Sequence, residues 1–231
     1  MHSKGFSLLE LLVVLAVMGV MMSVLGFTFL SNSSSDLGDT QRALVSLLQK
    51  TKAIAVSTGT EARLIIAADA DDTEKYLRHA QIIALDKNQT GHWLLLDSEH
   101  YLPKGVWFFS DGVDSQNPDW PEDARCVWSS SEDDEEFRLS LVYSQSLETK
   151  VFAESADEGT SFFYLKCLPS GNFVSSSYPQ MPKLVFAKGK LVPSTQGELT
   201  PTFQDSKQLA GIQIQPFGGI LTLDWEDFSD D

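Results

Sequence analysis

Lys4-Gly5-Phe6-Ser7-Leu8-Leu9-Glu10 runs straight into an apolar stretch from Leu11 to Leu30 that carries no charge. At about 1.5 Å of rise per helical residue, the stretch covers roughly the 30 Å hydrocarbon core of a bilayer. It is long enough to span one. A secretory signal peptide has a shorter apolar region, roughly 7 to 15 residues, with a small-residue cleavage site behind it. Here the small residue, Gly5, stands in front of the apolar run. A cut after Gly5 therefore leaves the helix on the mature chain.

Glu10 is the physical oddity, because a charge deep in a bilayer costs roughly 2.5 to 3.5 kcal/mol on the lenient insertion scale. It needs a partner or a route to water. A cut after Gly5 frees the amine of Phe6, a cation that can meet Glu10 of a neighbouring copy. Alternatively Glu10, one turn from the helix end, snorkels to the headgroups.

The string Gly5-Phe6-Ser7-Leu8-Leu9-Glu10-Leu11-Leu12-Val13-Val14-Leu15-Ala16 resembles the prepilin signature of type IV pilins and type II secretion pseudopilins. The resemblance implies that a prepilin peptidase cuts after Gly5 and methylates Phe6, and that Glu10 is the family's acidic assembly residue. It implies a bacterial inner-membrane protein of a single pass through residues 6–30, with the C-terminal domain periplasmic or extracellular. The lone leader charge Lys4 is in keeping with a cytoplasmic start. Cys126 and Cys167 would then meet an oxidising compartment where a disulfide can form. A disulfide and a pair of buried thiols both stay open, since sequence gives no distance between the two.

The 231 residues carry a formal charge of −15, and loss of the leader with Lys4 takes it to −16. Such a surface repels nucleic acid and anionic headgroups. Past the anchor, Ser31 to Asp39 is rich in residues that favour caps and turns, so 31–39 reads as a polar joint. From Thr40 to about Thr58, Leu44, Leu47, Leu48, Thr51, Ile54 and Ala55 share one helical face while Arg42, Ser46, Gln49 and Lys50 fall elsewhere. Gly59 offers a stop. The anchor has no proline, so Gly19 and Gly26 are its weak points.

Beyond Gly59 the period shifts to strands. Ala62–Ala67, Ala80–Leu85, Trp93–Leu96, Val106–Phe109, Phe137–Tyr143, Phe162–Lys166, Leu184–Ala187, Ile212–Gln215 and Ile220–Trp225 are predicted, the last two as a hairpin across Pro216-Phe217-Gly218-Gly219. Ser144 to Asp157 reads equally as short helix or loop. The expected fold is α+β: leader 1–5, transmembrane helix 6–30, joint 31–39, amphipathic helix 40–58, and a β-rich exported head 59–231 on antiparallel sheets.

Lys52-Ala53-Ile54-Ala55, Leu102-Pro103-Lys104-Gly105-Val106, Phe163 to Gly171 and Gly211 to Gly219 resemble the element order of minor pseudopilins of the GspH and FimT type. A further resemblance is to the prepilin-like group called Verru_Chthon cassette protein D, in which Gln81 and the last hairpin have counterparts.

No catalytic constellation stands out. His79, His92 and His100 lack zinc-ligand spacing and read as solvated or hydrogen-bonded, and there is no P-loop or GxSxG elbow. Asp69 to Glu74 and Asp111 to Asp119 invite a calcium reading but match no EF-hand loop, so solvated loops are expected there. No metal and no cofactor is expected. Glu132 to Glu136 and Trp225 to Asp231 read as acidic surface, the latter with aromatics available to a partner.

The resemblance thus implies a minor pilin-like structural subunit of a type II secretion or type IV pilus-like envelope filament, not an enzyme. Its partners would be other pilin-like subunits, prepilin peptidase and an inner-membrane assembly platform. A pilin-anchored adhesin or binding protein is the alternative. A membrane-tethered hydrolase ranks behind both. The acidic head makes nucleic acid an unsuitable ligand, because phosphate binding needs Lys and Arg to release counterions. The soluble head from about Thr40 onward is expected to leave duplex DNA unshifted at physiological salt, whereas micromolar binding with a steep salt dependence would promote a DNA-receptor role.

Overall fold

The computed structural model describes residues 36–110, 120–121, 123–129, 137–142, 150–156, 158–175, 180–193, 199–203, 205–215 and 218–228. The chain divides into two units, Met1–Asp36 and Leu37–Asp231. The leader, the apolar run and the first part of the joint lie outside the described residues. Among the described residues no helix is long and apolar enough to cross a membrane.

Helix α1 occupies residues 36–58. It takes in 36–39, which the cap-forming residues assign to the joint. The reason is the apolar stripe, which starts a turn early: Leu37 and Thr40 are buried in line with Leu44, Leu47, Leu48, Thr51 and Ala55. Arg42, Ser46, Gln49 and Lys50 are exposed, and Arg42 pairs with Asp39 one turn back at 2.6 Å. The helix ends at Gly59, whose φ of +63° is the left-handed conformation of a C-terminal cap, with its N–H donated to Ala55 O at 3.0 Å.

Among the described residues thirteen strands follow. They are β1 (Ala62–Ala67), β2 (His79–Leu85), β3 (His92–Leu95), β4 (His100–Tyr101), β5 (Val106–Phe108), β6 (Phe137–Val142), β7 (Val151–Ser155), β8 (Thr160–Cys167), β9 (Phe173–Val174), β10 (Lys183–Pro193), β11 (Leu199–Phe203), β12 (Leu209–Ile214) and β13 (Ile220–Asp224). Each of the nine apolar runs overlaps a strand to within a residue at its end, Tyr143 of the fifth run lying outside the described residues. The ambiguous stretch 144–157 holds β7, with 144–149 and 157 outside the described residues.

The first sheet closes on itself. Its order is β1-β2-β3-β7-β6-β8, and β8 pairs back to β1 from Ala62↔Cys167 to Ala67↔Phe162. All six pairings are antiparallel, so the ring is a six-stranded barrel with no free edge within it. Because successive residues face opposite ways along a strand, β1 sends Arg63, Ile65 and Ala67 inward and Leu64 and Ile66 outward. The interior cluster draws on all six strands: Ile65, Ile83, Trp93, Phe137 and Leu139 buried, with Leu85, Leu95, Phe152, Phe162 and Tyr164 against them. Even an eight-stranded barrel is only just wide enough for side chains to fill, so a ring of six is a packed core.

Gly159, just before β8, packs closely on β6. It sits at φ +112°, and a Cβ there would stand 2.6 Å from the Leu139 carbonyl oxygen, so only glycine fits beside β6.

The second sheet is organised on the long strand β10. Its first half lies between β12 and β5, its second half pairs with β11, and β13 forms the terminal hairpin with β12 in the register Ile214↔Ile220. The outer face of the barrel (Leu64, Ile66, Ile82, Leu165), the helix stripe (Leu44, Leu47, Leu48) and the second sheet (Phe108, Leu184, Phe186, Ile212, Ile214) form one core. The Gln41 side-chain amide adds hydrogen bonds to the carbonyls of Gly211 at 3.2 Å and Leu223 at 2.9 Å.

The acidic C-terminal stretch departs from its expected role. Phe228 is buried in the chain's own core, and Trp225 packs against that core, instead of both waiting for a partner. Gly211 makes this possible, since a Cβ there would come within 2.8 Å of the Phe228 ring.

Leu48 is fully buried at the junction of helix, barrel and second sheet, whereas Val56 on the same helix is 54% exposed. Leu48→Ala is expected to cost about 2 to 5 kcal/mol in urea unfolding. Val56→Ala should stay within about 0.5 kcal/mol. Equal losses would contradict the assigned helix face.

Candidate functional site

The processing and assembly residues Gly5, Phe6 and Glu10 lie outside the described residues. Within the head, the chemistry collects at the two ends of the barrel.

One end is sealed by a buried cation. Arg63 points inward from β1, and its guanidinium carbon stands 4.3 Å from the ring centres of Trp93 and Phe137 and 4.2 Å from that of Tyr164. These three rings come from β3, β6 and β8. Arg63 Nε donates to Glu61 Oε1 at 2.6 Å, and Lys166 Nζ reaches Glu61 Oε2 at 2.8 Å. One carboxylate thus joins two cations at charge-assisted distances while the aromatic faces receive the rest of the guanidinium. Arg63 is the second residue of a predicted apolar strand. Its single charge there was the available signal, and periodicity alone does not say which rings surround it.

The other end is open. Ala67, Gln81, Phe152, Phe162 and Leu141 form the floor and walls of a cavity of ≈ 210 Å³, with Asp69, Asp72, Lys75, His79, Glu99, Lys150 and Thr160 completing the lining. His79 is 3% exposed, and neither ring nitrogen has a hydrogen-bond partner. Burial holds its pKa below the ordinary value, with Lys75 acting the same way and Glu99 and Asp72 opposing. The ring is therefore neutral near pH 7, with one donor and one acceptor unused. Tyr101 covers it, ring centres 4.9 Å apart, while donating its hydroxyl to Glu99 Oε2 at 3.1 Å.

The charged groups around this mouth stand apart. His79 Nε2 lies 3.7 Å from Glu99 Oε2, Lys150 Nζ 3.9 Å from Glu99 Oε1 and Lys75 Nζ 3.5 Å from Asp72 Oδ2. None reaches the roughly 2.7 to 2.9 Å of a charge-assisted hydrogen bond.

Leu77 helps to build this mouth. It has φ +51°, rare for a residue with a branched side chain, and is held by Leu77 N–H to Ala67 O and by Phe108 N–H to Leu77 O, each at 2.9 Å. The turn it closes carries Lys75 and His79 to the rim.

The other histidines fit the plainer expectation. His92 Nδ1 lies 3.3 Å from the Thr90 carbonyl and His100 Nε2 3.3 Å from Asp97. Burial raises the Asp97 pKa, but the Lys50 ammonium at 2.5 Å, the Ser98 N–H and His100 outweigh it, leaving a net lowering. His79 departs from the expectation, being neither solvated nor hydrogen-bonded.

Cys126 and Cys167 are buried thiols, not a disulfide. They belong to different clusters, Cys126 in the main core and Cys167 in a small one with Ala55, Ala62 and Ala84. Burial pushes the Cys167 thiol up to about 11, which keeps it protonated and unreactive at neutral pH. The Asp69–Glu74 loop uses Asp69 Oδ1 and Asp72 Oδ1 to accept N–H groups of Asp71 and Lys75, as an ordinary turn does. Among the described residues no group of three His, Cys, Asp or Glu side chains is placed to hold a metal. The stretches 111–119 and 132–136 lie outside the described residues.

None of the curated proteins is significantly similar to the chain. Among solved structures it is similar to the minor pseudopilin EpsH from the Type 2 Secretion System of Vibrio cholerae, at 11% identity over 82% of this chain and 97% of that one, with a TM-score of 0.38. At that score the likeness is too loose to carry fold or function across. A family model does match, the prokaryotic N-terminal methylation motif, over residues 1–29. Gly5, Phe6 and Glu10 fall within that range. The N-terminal segment of this chain thus carries the prokaryotic N-terminal methylation motif.

Proposed function

We propose that the chain is a minor pilin-like subunit of a type II secretion or type IV pilus-like envelope filament, cut by prepilin peptidase after Gly5 and methylated on Phe6. The observation that carries this reading is the methylation motif over residues 1–29. The apolar run 6–30 anchors the chain in the inner membrane, the residues before α1 act as a joint, and the head stands on the periplasmic or outer side. A one-faced helix packed on antiparallel sheets supports the reading, because the resemblance implies an amphipathic helix of this kind against the head. Neighbouring pilin-like subunits and an assembly platform are the partners, and the work is mechanical.

Processing gives the direct test. Intact-mass analysis of the native protein is expected to show a chain starting at methylated Phe6. Gly5→Val should accumulate precursor, since a side chain at that position obstructs the close approach of the peptidase to the backbone. A native start at Met1, or a cut behind the apolar run, would sink the proposal.

Glu10 separates insertion from assembly. Pairing of its carboxylate with the Phe6 amine of an adjacent copy predicts that Glu10→Ala inserts as well as the native chain or better, because a bilayer-buried charge is removed. Crosslinking between neighbouring anchors in isolated membranes should nevertheless fall. Unchanged crosslinking at equal inserted protein would show that Glu10 only snorkels.

A further inference from the structure

We propose that the open mouth of the six-stranded barrel binds a small zwitterion with an aliphatic side chain, of the size and chemistry of a branched α-amino acid. The inference concerns the head alone and holds whether that head is built into a filament or displayed singly.

The two ends of the barrel supply the argument by contrast. At the sealed end Glu61 binds Arg63 and Lys166 at 2.6 and 2.8 Å, and aromatic rings cover the guanidinium. At the open end the corresponding separations are 3.5 to 3.9 Å, and a histidine 97% removed from solvent has both nitrogens unused. Buried polar groups are nearly always hydrogen-bonded, and an unmade bond there costs about 1 to 3 kcal/mol. Among the described residues His79 differs from the other buried side chains that have an unpartnered nitrogen, Arg78, whose Nε is unpaired while its Nη2 donates to Leu102 O at 2.9 Å, and Trp107 at Nε1. Those face each other, with the guanidinium 5.7 Å from the indole centre, whereas His79 lines the cavity.

The lining fixes the ligand class. Phe152, Phe162, Leu141 and Ala67 offer an apolar surface, and the rim carries both signs of charge, Asp69, Asp72 and Glu99 against Lys75 and Lys150. The ligand's ammonium is assigned to the carboxylates Glu99 and Asp72, and its carboxylate to Lys75, Lys150 and the unpartnered His79 ring, all of which line the same cavity. A purely anionic or purely cationic ligand would leave half of this rim opposed to it. Size follows from volume: a cavity of about 150 Å³ takes a six-carbon ring, so ≈ 210 Å³ takes about eight or nine non-hydrogen atoms. Valine and leucine have that size. The site lies in the mouth of a barrel, a common place for small-molecule pockets.

The test uses the full chain in detergent micelles, titrated with L-leucine and followed by calorimetry and by the His79 imidazole resonances. Saturable one-site binding with Kd at or below about 1 mM is expected, together with a shift of the His79 signals. N-acetyl-L-leucine, which lacks the ammonium, and isoamylamine, which lacks the carboxylate, should each bind at least about tenfold more weakly. Lys150→Met, at a side chain 60% exposed and so harmless to folding, should weaken L-leucine but not isoamylamine, whose ammonium loses a like charge beside Glu99. His79→Leu should abolish L-leucine binding. Absence of saturation, equal binding of the three probes, or indifference to Lys150→Met would each overturn the proposal. None of these outcomes bears on whether the N-terminus is processed after Gly5.

Discussion

The pairing of β1 with β8 is the constraint on which the head depends. Without it the first sheet would be an open ribbon with two long apolar edges, each a template for another chain. With it, β1 is buried on both faces, Ile65 inside the ring and Leu64 and Ile66 outside it. One strand therefore belongs to two cores. The outward half is the surface on which α1 and the second sheet are assembled. A one-residue slip in this register would send Leu64 into the barrel and Arg63 into the main core, where no carboxylate is buried among the described residues. Register and core composition are thus fixed together.

Arg63 shows how a cation is tolerated inside such a ring. Taking a guanidinium out of water costs several kcal/mol unless its donors and its charge are answered. Glu61 answers one donor directly, two residues away on the same strand edge, and the three rings answer the delocalised face. A lysine would not serve equally, since its compact ammonium is more strongly hydrated and cannot stack flat among the rings. The same ring of strands is left with loosely paired charges at its other end. The asymmetry lies in the side chains and not in the backbone, because both ends are made by the same six strands.

Much of this fold was legible in local pattern. The stripe Leu44, Leu47, Leu48, Thr51 and Ala55 is a property of helical spacing, and the nine apolar runs are long enough to declare themselves as strands. What escaped were short or polar strands: β4 and β9 have two residues each, β7 contains Glu154 and Ser155, and β11 has Pro201 in its middle. Strands of that kind are held by their partners, as β11 is by the far half of β10. Closure of the barrel was not legible either, because β1 and β8 are about a hundred residues apart and no local signal records which strand returns to which. The same non-locality hid the site. His79 reads as an ordinary surface histidine until the ring folds, and only then do Gln81, Phe152 and Phe162 gather around it.

The junction between helix and sheets bears on how a head of this design would carry load. Under the proposed function, force applied along the stem reaches the head through α1. There it meets two kinds of contact. Leu44, Leu47 and Leu48 are wedged between the outer barrel wall and the second sheet, and Gln41 is hydrogen-bonded to carbonyls of β12 and β13. Drawing the helix along its axis must shear these contacts together, because the stripe is shared by both layers and neither can release it alone. The buried Thr51 adds no foreign bond to this seam, since its hydroxyl donates back to Leu47 O within the helix. The seam is therefore mostly apolar and continuous over four turns. Its resistance comes from packing against two sheets at once, which is how a short helix can serve as the root of a head much larger than itself.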